Sequence, residues 1–182
     1  MPWSRSTLSG ISLIACHCVF LLLLCSYTAA AEVNMGTEIS EPVRRFILSH
    51  VVARLATASK AGQPHVIPFC YAFDGARFYF VVDEKPKRQT GKPLKRVRNI
   101  LENPQVALVI DDYADDWTQL AYVLVSGTAA LVEDESEYAR ALTLLRERYP
   151  QYRLMDLSFA RNPMVRITPT NVHAWGKVEK EG

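Results

Sequence analysis

Residues 54–83 read RLATASKAGQPHVIPFCYAFDGARFYFVVD. Three β-prone runs share this stretch, and what separates them decides the fold. Arg54–Ser59 is a short strand, Lys60-Ala61-Gly62-Gln63 a hairpin turn, and His65–Phe73 a run of β-branched and aromatic residues. Asp74-Gly75 then signals a second hairpin, leading into Arg77–Asp83. Pro68 cannot donate to a ladder, so its strand is expected at an edge or a bulge.

Further strands are expected at Gln105–Ile110, at Ala121–Val132 and, as one or two pieces broken at Pro169, over Met164–Trp175. Ser126-Gly127 reads as a bulge within the second of these. Three helices are interspersed. Ser40-Glu41-Pro42 opens the first, with Val43, Phe46, Ile47 and Val51 as its apolar stripe. A second runs from about Pro93 to Asn103, where Asn103-Pro104 stops it. Asp134–Tyr149 is the third, with Asp134 as cap and Glu137 completing a capping box. Strands in hairpin-connected pairs, not alternating with helices, point to an antiparallel barrel or sandwich with peripheral helices.

The 182 residues suit one domain with an appendage, and their chemistry is uneven. Residues 1–31 carry Arg5 as their sole charge and hold three of the four cysteines. Ile11–Cys25 is almost wholly apolar and ends near Ala29-Ala30-Ala31, the pattern of a secretory signal. That core is short for a membrane span. Met35 offers an alternative start of translation, which would leave residues 1–31 untranslated. We expect a cytoplasmic body without stable membrane association, the alternative being export or tethering through residues 1–31. Residues 32–42 read as linker and helix start, 43–176 as the folded domain and 177–182 as a tail. From Glu32 onward there are 20 basic and 19 acidic residues, and Cys70 is the only cysteine, so no intrachain disulfide holds the body.

Inventory excludes several chemistries. His50, His65 and His173 stand far apart with no HxxxH or CxxC spacing, which speaks against zinc, and no metal site is expected. No G-x-S-x-G elbow is present, and the eight glycines are too scattered for a phosphate-cradling Gly-rich loop. No catalytic constellation can be named. Asp111, Asp112, Asp115 and Asp116 read as a solvated acidic loop, with Trp117 placed to cap a planar ligand or a partner subunit. Tyr122 and Trp175 read as core or interface.

The informative exception is basic. Lys85, Lys87, Arg88, Lys92, Lys95, Arg96 and Arg98 put seven positive charges into fourteen residues without an acid. Several lie before or inside the first turn of the second helix, where the macrodipole disfavours cations. The helix from Asp134 obeys the dipole rule, with Glu135 and Glu137 early and Arg146 and Arg148 late. A positively charged helix N-terminus is suited to an anion, so a phosphate-bearing ligand is expected there. Nucleic acid is the weaker reading, because aromatics do not interleave with these charges and the body is near neutral.

Together, Ala56–Pro68 (ATASKAGQPHVIP), Phe78–Asp83 followed by KPKR at 85–88, Leu94–Tyr113 (LKRVRNILENPQVALVIDDY), Asp115–Trp117 and Val165–Trp175 (VRITPTNVHAW) resemble the pyridoxamine 5′-phosphate oxidase-like family. KPKR, the RNIxxNP helix end and the acidic-Trp loop look most like its deazaflavin-dependent oxidoreductase branch. The resemblance implies a mostly β (α+β) fold, a six-stranded antiparallel split β-barrel with peripheral helices. It further implies a homodimer with cofactors in grooves between subunits, coenzyme F-420 favoured and FMN the alternative. His65, Val66, Ile67 and Pro68, with Val82 and Asp83, would flank the ring. Lys87, Arg88, Lys95 and Arg96 would hold the phosphate with Asn99 nearby, while Trp117 and Trp175 come from the facing subunit. Gln89–Pro93 lengthens the link before the helix relative to the family pattern. Hydride transfer to a small conjugated acceptor would follow, with Tyr71, Tyr113 or Tyr122 as candidate proton donors. The rival readings are a non-catalytic flavin or deazaflavin carrier and, less favoured, a nucleic-acid-binding module.

Overall fold

In the computed structural model, which describes residues 38–83 and 93–179, the run quoted above forms four strands. They are β1 (Ala53–Ala58), β2 (Pro64–Phe69), β3 (Ala72–Phe73) and β4 (Phe78–Val81). With β5 (Gln105–Asp112), β6 (Ala121–Leu131) and β7 (Met164–Gly176) they make one antiparallel sheet in the order β2-β1-β5-β6-β7-β4-β3. β2 and β3 therefore lie at opposite edges, yet only Cys70 and Tyr71 separate them in the chain. That link obliges the sheet to curl into a barrel. His65–Phe73, expected as one strand, is split between the edges; counted as one run it leaves the six strands of a split barrel. Pro68 sits in edge strand β2 opposite Arg54, where its missing N–H costs no ladder bond on the open side.

Alternation along the strands defines the barrel interior. Leu55, Leu108, Ile110, Val123, Val125, Val165 and Ile167 are almost fully buried there, with Phe78 and Phe80 from β4. The other face of β4, Tyr79 and Val81, packs into a second core under the helices. Burial on both faces explains why Phe78–Val81 is apolar without interruption. The Asp74–Arg77 turn follows the Asp74-Gly75 signal: the Asp74 carboxylate accepts from the N–H groups of Ala76 and Arg77, and Gly75 takes φ +104°. Register shifts at Ser126/Gly127, opposite Pro169, and β7 runs through that proline as a single strand. A Cβ on Gly127 would lie 2.4 Å from the Thr168 carbonyl oxygen, so the bulge requires glycine.

Among the described residues four helices accompany the barrel: α1 (Glu41–Ser49), α2 (Lys95–Glu102), α3 (Glu135–Arg148) and the short α4 (Pro150–Arg153). α1 buries Val43 and Ile47, but it ends before Val51, which is 55% exposed and not part of the stripe. Arg148 and Tyr71 stop it. Arg148 donates to the carbonyls of Ile47, Leu48 and His50, and the Tyr71 hydroxyl shares its one proton between those of Ile47 and His50, satisfying helix-end acceptors. At α3 the expected capping box is half formed. Asp134 accepts from the Glu137 N–H at 2.6 Å, but the Glu137 side chain turns inward to Tyr79 and Arg166. Asp111 and Asp112 belong to β5, not to a loop, and pair with Arg54 and His50. No helix among the described residues is long and apolar enough to cross a membrane.

Candidate functional site

Helix α2 begins without help from side chains. Leu94 occupies the N-cap position, makes no capping bond, and is followed by Lys95, Arg96 and Arg98 with no acid in the first turn. Free backbone N–H groups and two kinds of cation thus share one end. Asn99 anchors this end to the barrel: its buried amide donates to the Thr57 hydroxyl at 3.0 Å, and Thr57 reaches the His65 carbonyl at 3.4 Å. Thr57 and His65 are directly opposed on β1 and β2, so the imidazole faces the same side as the helix. Partial burial, and then the charges of Lys95 and Arg96, hold the His65 pKa below its ordinary value.

Arg96 is the unusual member. Its guanidinium lies over the Phe80 ring at 5.9 Å from the centroid, and its Nε is buried without a hydrogen-bond partner among the described residues. Burial lowers its pKa, and the opposing influence of Asp83 and Tyr152 does not make up the difference. A cation in that condition is under-solvated and has donor capacity left over. Asp83, 7% exposed, accepts from the Tyr152 hydroxyl at 3.3 Å. The preceding residue is pinned by the 162–163 loop, where Asn162 Nδ2 donates to the Val82 carbonyl and the Val82 N–H donates to that of Pro163.

His65, Asp83, Lys95, Arg96 and Asn99 therefore come together at α2, with Val82 adjoining Asp83 in the chain. Lys85, Lys87, Arg88 and Lys92 lie outside the described residues. The remaining strand residues divide: in β2, His65 and Ile67 turn toward the covered side while Val66 and Pro68 are exposed on the other. With a side-chain period of two, those four side chains cannot meet one ligand on one face. Val66 belongs instead to the outer face of the sheet, with Ala56, Ala107, Val109, Leu124, Tyr122 and Trp175. Val66, Leu124 and Trp175 are 60%, 39% and 48% exposed, and Trp175 stacks on Tyr122 at 5.5 Å. Those two aromatics are not core. Trp117, 75% exposed, starts a 3-10 turn that Asp116 caps through the Thr118 N–H.

Of the proposed proton donors, Tyr71 is fully buried with its hydroxyl spent on α1 carbonyls, and burial raises its pKa. It has no route to a substrate. Tyr113 is exposed, and Tyr122 lies on the outer sheet face. Two residues at the site escaped the sequence reading, Phe80 and Tyr152. Tyr152 is 69 positions from Asp83, and nothing local marks the pairing. Among the described residues no group of His, Cys, Asp and Glu could hold a metal.

A family model described as pyridoxamine 5′-phosphate oxidase matches residues 39–176. A 5a,11a-dehydrotetracycline/5a,11a-dehydrooxytetracycline reductase of Streptomyces rimosus is 29% identical over 124 residues, 68% of this chain and 72% of its own. A conserved hypothetical protein of Mycobacterium tuberculosis superposes with a TM-score of 0.59 at 25% identity, covering 77% of this chain and 88% of that one. A heme storage protein of Vibrio cholerae shares the fold at 16% identity, with a TM-score of 0.57 over 77% of this chain and 98% of that one.

Proposed function

Since the chain belongs to the pyridoxamine 5′-phosphate oxidase family and has a reductase among its relatives, we propose that it is an oxidoreductase using a phosphate-bearing deazaflavin or flavin. Coenzyme F-420 is the favoured cofactor and FMN the alternative. The observation that carries this reading is Arg96, a partly buried guanidinium whose Nε has no partner among the described residues, at an uncapped, acid-free helix start. Such a donor set fits a phosphate, which would supply both acceptors and countercharge.

In this reading Lys95 and Arg96 hold the phosphate, together with Lys87 and Arg88 from the preceding segment. His65, its neutral form favoured, borders the same cations without adding a further positive charge to theirs. Val82 and Asp83 form a rigid rim because Asn162, Pro163 and Tyr152 fix them. When bound, the cofactor supplies a hydride; the protein supplies position, electrostatics and exclusion of water. A second copy laid on the outer sheet face, across Val66, Leu124, Tyr122 and Trp175, would cover that apolar surface and close the groove. Homodimerisation is therefore part of the proposal, with Trp117 and Trp175 contributed across the interface. We place the activity in the cytoplasm, where reduced cofactor is regenerated; mass spectrometry of the native N-terminus tests this, and a chain starting at about Glu32 would contradict it.

The activity test mixes the full-length chain with reduced coenzyme F-420 or reduced FMN and a panel of α,β-unsaturated ketones, following cofactor oxidation by absorbance. Acceptor-dependent oxidation is expected. Tight binding with no oxidation by any acceptor would replace the enzyme with a carrier.

A further inference from the structure

Between β4 and α3, at the end of β4 opposite Asp83, lies a cavity of about 430 Å³. Ala141 and Leu144 give it an apolar part of the lining, and Arg77 and Arg140 line it as well. The volume is within the usual range for small-molecule sites. None of the residues that come together at α2 lines it.

The hydrogen-bonding capacity left at this cavity is one-sided. One Asp74 carboxylate oxygen accepts from the N–H groups of Ala76 and Arg77, while the other lies 3.2 Å from the Tyr79 hydroxyl and shares its one proton with Glu137. Glu137 is committed, one oxygen to Tyr79 at 2.9 Å and to Arg77 at 3.6 Å, the other to Arg166 at 2.8 Å. The Thr143 hydroxyl donates to the Ala139 carbonyl. What remains is donors. Arg140 makes one bond, to the Ser136 hydroxyl at 3.1 Å, and has no carboxylate within 4.0 Å among the described residues. The Arg77 side chain is 47% exposed, meets Glu137 at that longer distance and hydrogen-bonds the Tyr79 oxygen, which leaves further N–H groups of its guanidinium. With Arg166 and with Asp134, which interacts with Arg140 across Ser136, three guanidiniums face three carboxylates, and the guanidinium N–H groups left over stand beside the apolar part of the lining.

We propose that this cavity binds a small organic anion, a carboxylate or phosphate monoester on an aromatic or short aliphatic body. The body would rest on Ala141 and Leu144, and the anionic head would bridge Arg140 and Arg77. Glu137 would act as a positioning residue, holding Arg77 at the cavity through their contact and through Tyr79.

The test is an NMR titration of the full-length protein with benzoate, phenyl phosphate and, as the neutral isostere of benzoate, benzamide. Saturable shifts of the Ala141, Thr143 and Leu144 amides are expected with both anions, and affinity for benzamide should be weaker by about tenfold or more. Resonances of His65 report the other site and separate the two. Arg140→Gln should weaken benzoate binding by about tenfold, and Leu144→Trp, which fills the apolar part, should abolish it. Equal affinity for benzamide and benzoate, shifts that never saturate, or Arg140→Gln binding unchanged would overturn the proposal.

Discussion

Arg96→Met makes function and stability move in opposite directions. In the free protein the guanidinium is partly buried over Phe80, its Nε lacks a partner among the described residues, and its charged form is disfavoured by burial more than Asp83 and Tyr152 favour it. An unsatisfied buried donor costs about 1–3 kcal/mol. The residual attraction of Asp83 offsets part of this, so we expect Arg96→Met to stabilise the free protein by about 1 kcal/mol, methionine keeping the contact with Phe80. With a urea slope of about 2 kcal/mol/M, the unfolding midpoint should rise by about 0.5 M. The same change removes charge-assisted bonds to phosphate worth about 1.5–3 kcal/mol, so cofactor affinity should fall by about 10- to 150-fold. Urea denaturation in phosphate-free buffer and fluorescence titration with coenzyme F-420 and FMN measure the two effects. A lowered midpoint together with unchanged affinity would refute the reasoning, because Arg96 would then be a structural residue.

Because its folded pKa lies below the ordinary value, the His65 imidazole penalises the fold when protonated. That penalty is complete below the folded pKa and fades as pH rises to about 6.5. An NMR titration should find the depressed value, and inorganic phosphate should raise it by neutralising Lys95 and Arg96; no response to phosphate would remove His65 from the site. Arg148→Met, which strips the α1 carbonyls of Ile47, Leu48 and His50 of a donor, should cost about 2 kcal/mol in urea unfolding while leaving cofactor affinity intact. Gly127→Val should cost about 1–3 kcal/mol, since its Cβ would meet the Thr168 carbonyl at 2.4 Å; a neutral result would mean the bulge is free to move.

Strand content, hairpin pairing and the bulge at Ser126-Gly127 were legible because turn chemistry and side-chain alternation are local. The division of His65–Phe73 between two sheet edges was not, since no turn residue marks Cys70-Tyr71 and closure depends on strands far away. Glu137 shows the same limit. Its spacing from Asp134 satisfies the capping-box pattern, yet Tyr79 and Arg166 outbid the local bond with buried partners. The basic, acid-free start of α2 was visible as a violation of the helix-dipole rule, which needs only the order of charges along the chain. Alternation in β2 turns the Val66 and Pro68 side chains away from those of His65 and Ile67. Tyr152 and Phe80 could not have been assigned, because their roles arise from packing across 69 positions for Tyr152 with Asp83 and from a ring beneath a guanidinium for Phe80.

The most direct measurement of the central claim is isothermal titration of the full-length protein with coenzyme F-420 and with FMN, repeated in the presence of inorganic phosphate. Saturable binding of at least one cofactor, one per chain and weakened competitively by phosphate, is the predicted result. A folded protein that binds neither cofactor, or binds one without competition from phosphate, would contradict it.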